Sequence, residues 1–231
     1  MATNANSSPR QYGKSVDYLD DVLERQLATI APQTIVDFGA GEGKNGKILK
    51  NVLGDSVHTV AVEGFQPTVD MLLSSGIYNE VHHDLIQNWL ESHTEHYDLA
   101  IFGDVLEHLS VREIRKVMMQ CLKQFDCIIA VVPLCHIFQD EVYGNKLEIH
   151  KSYITESFFN RYHPEEKHIK AGGIYTIMNV KILSHAKKTF TLRQTALGFL
   201  HCCVPFLQPI GLARPFATFI RYVGRKLGWV E

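Results

Sequence analysis

The segment Thr34–Gly46, TIVDFGAGEGKNG, constrains this chain more than any other stretch. A β-branched and apolar run closes on Asp37, and glycines follow at alternate positions: Gly39, Gly41 and Gly43. A helical pattern then begins over Lys44–Leu53 and is closed by Gly54. The order strand, tight glycine turn, helix carries backbone N–H groups at a helix N-terminus up to a nucleotide-like ligand. Glycine suits the turn because it takes φ > 0 without strain and has no Cβ to hold a ligand away. A strand over Thr34–Phe38 and an α/β fold follow.

The rest of the chain keeps the alternation. Val16, Leu19, Val22, Leu23, Leu27 and Ile30 recur at helical spacing over Lys14–Ala31, and Pro32 stops that helix. Strands are predicted at Val57–Val62, Tyr78–His82, Tyr97–Phe102 and Asp126–Val132, the last buried on both faces by its continuous apolar run. Helices are predicted at Pro67–Ser74, Leu85–Glu91 and Val111–Leu122. Residues 134–154 have little periodicity and many polar and aromatic groups. A short helix, Thr155–Tyr162 with Thr155 as N-cap, precedes two strands, Lys167–Ala171 and Ile174–Ser184, which Gly172-Gly173 would join as a hairpin turn.

The glycine turn fits two cofactor classes. Gly41, Gly43 and Gly46 match the dinucleotide pattern G-x-G-x-x-G. Asp37 with Gly39, Gly41 and Gly43 gives D-x-G-x-G-x-G, which resembles motif I of the class I S-adenosylmethionine (SAM) dependent methyltransferases. Glu63, at the tip of the second strand, suits both, because either ligand carries a ribose whose hydroxyls a carboxylate can accept. The string Gly103-Asp104-Val105-Leu106-Glu107-His108-Leu109 separates them. It resembles motif IV of class I methyltransferases, in the branch with a Leu-Glu-His signature acting on small molecules and sugars. The terminal hairpin is a further resemblance.

The resemblance covers Lys14 to His185. It implies a Rossmann-like, seven-stranded, mostly parallel sheet with a C-terminal antiparallel hairpin and helices on both faces. It implies SAM as cofactor, S-adenosylhomocysteine (SAH) as product, and cofactor contacts from Asp37, Gly39, Gly41, Gly43, Glu63, Gly64, Asp84, Leu85, Asp104 and Val105. Asp84 meets the adenine amine on this reading, with the next backbone amide on a ring nitrogen; it equally suits the N-cap of the following helix. Residues 134–154 occupy the place where such enzymes build an active-site lid.

Methyl transfer needs alignment of the reactants, and for a hydroxyl acceptor also removal of a proton. His108, His136 and His150 are the candidate bases; His108 equally suits a pocket-shaping role. Asp104, Glu107 and His108 stand at i, i+3, i+4, a spacing that could hold a divalent cation. An acid three residues before Glu-His resembles the metal signature of ubiquinone-pathway O-methyltransferases and small-RNA 2′-O-methyltransferases. There the leading acid is typically Glu; Asp104 is one methylene shorter, and no resident metal is expected. The lid string EVYGNKLEIHKS resembles segments of bacterial-type methyltransferases near glycan pathways. Tyr143, Asn145, Lys146, Glu148 and His150 would serve a polar small-molecule or glycan-linked acceptor.

The domain expectation is a mobile tail over 1–13, a catalytic domain over 14–185 with its lid at 134–154, and an apolar, basic helical extension over 186–231. That extension is read as packing on the core or on a second copy, or resting on anionic lipid; Pro205, Pro209 and Pro215 cut it below the ~20 apolar residues of a membrane span. A net charge of −2 excludes a general nucleic-acid binder. Five cysteines without paired C-x-x-C spacing, after an N-terminus with no apolar leader, point to a reducing cytoplasm. Two other functions stay open on the sequence: an NAD(P)-dependent oxidoreductase, which would prefer the nicotinamide cofactor, and a non-catalytic methyltransferase-like scaffold.

Overall fold

The computed structural model describes Asp17 and residues 19–134, 137–142, 144–169 and 172–178. The predicted tail 1–13, His136, Tyr143 and the extension 186–231 lie outside the described residues.

The elements alternate as the sequence requires: α1 (Asp20–Ile30), β1 (Thr34–Phe38), α2 (Lys44–Leu53), β2 (His58–Glu63), α3 (Gln66–Ser75), β3 (Glu80–His83), α4 (Ile86–Ser92), β4 (Tyr97–Gly103), α5 (Val111–Gln124), β5 (Phe125–Pro133), α6 (Glu156–Asn160), β6 (Glu166–Ile169) and β7 (Gly172–Met178). Two 3₁₀ turns, Leu106–His108 and Lys146–Glu148, complete the set. The sheet has seven strands in the order β3-β2-β1-β4-β5-β7-β6. β1 to β5 are mutually parallel, and β7 enters antiparallel to both β5 and β6.

Alternation along β1 builds a core on each face of the sheet. Val36 and Phe38 point to one side, where Trp89 and Leu90 of α4 and Ile114, Val117 and Met118 of α5 bury them. Ile35 points to the other, against Leu23 and Leu27 of α1 and Ile48 and Leu49 of α2. Phe38 stacks on Phe102 at 5.0 Å and meets the edge of Trp89 at 5.4 Å, which fixes the centre of the first layer. Helices on both faces, and the antiparallel entry of β7, agree with the expected architecture.

Three local readings are corrected. Among the described residues the N-terminal helix covers Asp20–Ile30, with Asp17 and Leu19 outside it, while Lys14 lies outside the described residues; Asp20 and Asp21 occupy its first turn, where acids complement the helix dipole, and Asp20 also pairs with Lys44 of α2 at 2.5 Å. Gly172 and Gly173 are strand residues, not the hairpin turn: they pair with Pro133 and Val132. A Cβ on Gly173 would come within 2.7 Å of the Tyr175 ring, so the glycine makes room for that buried aromatic. Leu85, not Asp84, is the N-cap of α4, and no side chain caps it.

Candidate active site

β1, β2 and β4 end at one edge of the sheet, with Phe38 in register with Val62 on one side and Phe102 on the other. β1 is the point where the strand order turns back, so the loops after β1 and β4 diverge and leave a crevice beyond their carboxyl ends. A cavity of about 460 Å³ lies there.

The glycine turn forms its floor. Gly39, Gly41 and Gly43 have φ of +68°, +52° and +74°, a left-handed alternation that only glycine adopts freely. Gly39 donates its N–H to Val62 O at 2.8 Å, and a Cβ there would overlap Val105. Gly39 and Gly41 line the cavity; Gly43 does not, and serves as the N-cap of α2. A Cβ on Gly43 would press on Ile77 and Leu72 at 3.0 and 3.1 Å.

Asp37 also stands off the cavity, fully buried. Its carboxylate accepts from Tyr78 Oη at 2.5 Å and from Asn45 Nδ2 at 3.0 Å. The same phenol oxygen accepts the Gly46 N–H at 2.9 Å. Burial pushes the Asp37 carboxyl up to about 6, against the opposing pull of the two hydrogen bonds. Asp37 thus locks the start of α2 to the connection between α3 and β3, and acts on the turn rather than at its surface.

Glu63, at the end of β2, is buried and faces the cavity. Its Oε2 accepts the Gly41 N–H at 3.0 Å and its Oε1 the Phe65 N–H at 2.9 Å. Each oxygen keeps a lone pair for a further donor. Gly64 follows, where a Cβ would meet Leu147 of the 144–148 segment at 2.6 Å and Leu85 at 3.1 Å. Asp84 and Leu85 line the same end; Asp84 accepts the Leu85 N–H through its own Oδ1 at 2.8 Å.

Across the crevice, Asp104 adopts φ +51° and anchors its N–H on Val131 O at 3.0 Å. This left-handed non-glycine residue reverses the chain at the end of β4, so that Asp104, Val105, Glu107 and His108 all reach the cavity. Leu-Glu-His forms the first 3₁₀ turn: Leu106 enters the core, Glu107 is 3% exposed. Ser110 then caps α5 in a capping box with Glu113, legible in advance from S-x-x-E but not among the sequence expectations above.

His150 comes to this turn from the far end of the lid segment. The Glu107 carbonyl accepts the N–H groups of Lys151 and Ser152 at 2.9 and 3.1 Å, which brings the His150 ring to 4.9 Å from that of His108. Burial and the negative charge of Asp104 push the Glu107 carboxyl up to about 8; burial and His150 push His108 down to about 4. The sequence places Glu107 only in the i, i+3, i+4 set with Asp104 and His108; the structure brings it together with His150 as well. Its place within the motif-IV string was the available signal, but its burial was not visible. Among the described residues no helix is long and apolar enough to cross a membrane.

No protein-family model and no curated protein matches the chain. Solved structures do. The N-terminal domain of EvdMO1, crystallised in the presence of SAH and D-fucose, aligns over 71% of this chain and 84% of its own at 11% identity, TM-score 0.53. The DhpI–SAH complex aligns over 69% and 84% at 15% identity, TM-score 0.53. A SAM-dependent methyltransferase from Archaeoglobus fulgidus aligns over 62% and 66% at 13% identity, TM-score 0.46. With the strand order above, the fold of this chain is that of the class I SAM-dependent methyltransferases.

Proposed function

We propose that the chain is a SAM-dependent methyltransferase that moves a methyl group to a hydroxyl or amine of a polar small molecule or glycan-linked acceptor. The observation that carries the reading is the crevice at the end of β1, where the left-handed glycine turn and the Glu63 carboxylate face one cavity. In this reading Gly39 and Gly41 let the amino-acid end of SAM lie against the backbone. Glu63 accepts from the ribose hydroxyls with its remaining lone pairs. Asp84 and Leu85 frame the adenine, with Gly64 and Leu147 packed beside it. Asp104 and Val105 border the sulfonium side. Asp37 and Gly43 contribute through the shape of the turn.

SAM carries its own leaving group, so the protein's work is to align the acceptor, exclude water and accommodate one proton. His108 and His150, with rings 4.9 Å apart, both line the cavity and would face the acceptor. Asn145, Leu147 and Glu148 line the same cavity, with the buried Asn145 side chain accepting the Leu147 N–H at 3.0 Å.

Calorimetric titration of the full chain with SAH, and in parallel with NAD⁺ and NADP⁺, tests the cofactor class. Micromolar binding of SAH alone is the expected result. Preference for a nicotinamide cofactor would replace this reading with the oxidoreductase one.

A further inference from the structure

We propose that Glu107, His108 and His150 form a site for one divalent transition-metal ion, open toward the cavity. The set differs from the one that the spacing of residues 104–108 offers: His150, from the far end of the lid segment, takes the place of Asp104. One donor atom from each of the three lies within 4.8 Å of the others.

Two features make this more than a cluster. Glu107 is 3% exposed, yet its Oε2 has no hydrogen-bond partner, and the same is true of the buried His108 Nδ1. Buried carboxylates and imidazoles without partners are costly, and such orphans ask for a proton donor or a cation. The third member is already oriented. His150 Nδ1 lies 2.8 Å from the Ile137 carbonyl, so it carries the hydrogen and Nε2 keeps its lone pair. A metal-binding imidazole is held this way, its other nitrogen donating to a backbone carbonyl. The two N–H groups given to the Glu107 carbonyl by Lys151 and Ser152 tie both ends of the set together.

Two imidazoles and a carboxylate select a borderline ion such as Zn²⁺, Co²⁺, Fe²⁺ or Mn²⁺ over Mg²⁺ or Ca²⁺, which take all-oxygen shells. Donor spacings of about 3.3 Å in a tetrahedral site require the side chains to draw in on the order of 1 Å. The fourth position faces the cavity, since all three residues line it.

The role of the ion, unlike its binding, rests on the methyl-transfer reading. An acceptor hydroxyl on the open position releases its proton to water. Its oxygen lone pair forms the bond to the methyl carbon, the C–S bond breaks with its electron pair left on sulfur, and SAH departs neutral. The acceptor is then an alcohol or sugar hydroxyl rather than an amine.

The test uses the full chain, stripped with chelator and titrated with Co²⁺ while visible absorption is followed. One Co²⁺ per chain with ligand-field bands is expected. Affinity should fall roughly 10–100-fold in both His150→Ala and Glu107→Gln, with circular dichroism confirming the fold of each. His82→Gln, on a surface histidine pair with Glu80 at 3.1 Å, should leave the bands unchanged. Absent bands, or bands equal in His150→Ala and Glu107→Gln to those of the parent, overturn the proposal. SAH titration of the same samples reads the cofactor site separately: Co²⁺ binding without SAH binding keeps the metal site and removes the methyl-transfer reading, and the reverse result removes only the metal site.

Discussion

The Glu63 carboxylate holds the Gly41 amide at 3.0 Å, so the residue proposed to grip the ribose also sets the shape of the glycine turn. Replacing Glu63 with Ala removes both effects. SAH affinity should fall by about 1–3 kcal/mol, the range for lost hydrogen bonds to a charged group. Glu63→Gln keeps one acceptor oxygen and should lose less. Calorimetry on the two variants checks the order, and unchanged affinity in Glu63→Ala would remove Glu63 from the site.

Gly39→Ala meets Val105 and a φ of +68° at once. The variant should bind SAH at least tenfold more weakly and lose about 1–3 kcal/mol of stability. Adding Val105→Ala relieves the overlap but not the backbone strain, so the double variant should recover only part of the loss. Full recovery in urea unfolding would show that strain plays no part there.

Asp37 predicts a pH signature. Burial raises its carboxyl from 3.8 to about 6, so between those values the folded protein keeps a proton that the unfolded chain has released. Its contribution to stability is therefore full below about pH 4 and falls as pH rises through 6, by on the order of 3 kcal/mol. Asp37→Asn cannot ionise, and Asn45 can turn its amide to present an oxygen to it. The unfolding free energy of the parent relative to Asp37→Asn should therefore decline from pH 4 to pH 7. A constant difference would contradict the assignment.

Ser110→Ala removes the side chain that caps α5 at Glu113 N–H. The expected loss is about 1 kcal/mol. SAH affinity should stay within twofold, because neither Ser110 nor Glu113 lines the cavity. A larger drop in affinity would mean that the cap positions the Leu106–His108 turn.

What could be read in advance follows the range of the forces involved. β1 and α2 match their predicted bounds because β-branched propensity, glycine conformation and helical periodicity are all encoded within a few residues. β2 and β4 each run one residue past their predicted ends, to Glu63 and Gly103, and bring Glu63 and Asp104 to the crevice. Asp37 read as a cofactor contact because its spacing to the glycines is local; its actual partner, Tyr78, lies far along the chain. The meeting of Glu107 with His150 depends on two backbone hydrogen bonds across the lid segment, which no periodicity announces. Gly172 and Gly173 read as a turn because glycine pairs usually make one; the bulk of the Tyr175 ring, two residues further along the same strand, accounts for Gly173 as a strand residue.

The phenol of Tyr78 joins the Gly46 amide to the Asp37 carboxylate, so the glycine turn is not a portable cassette. A graft of residues 34–46 into another sheet would carry a carboxylate into the interior without the hydroxyl that answers it. A segment that runs on through Tyr78 carries the phenol with the turn it completes, so the smallest transferable unit is residues 34–78 rather than the glycine turn.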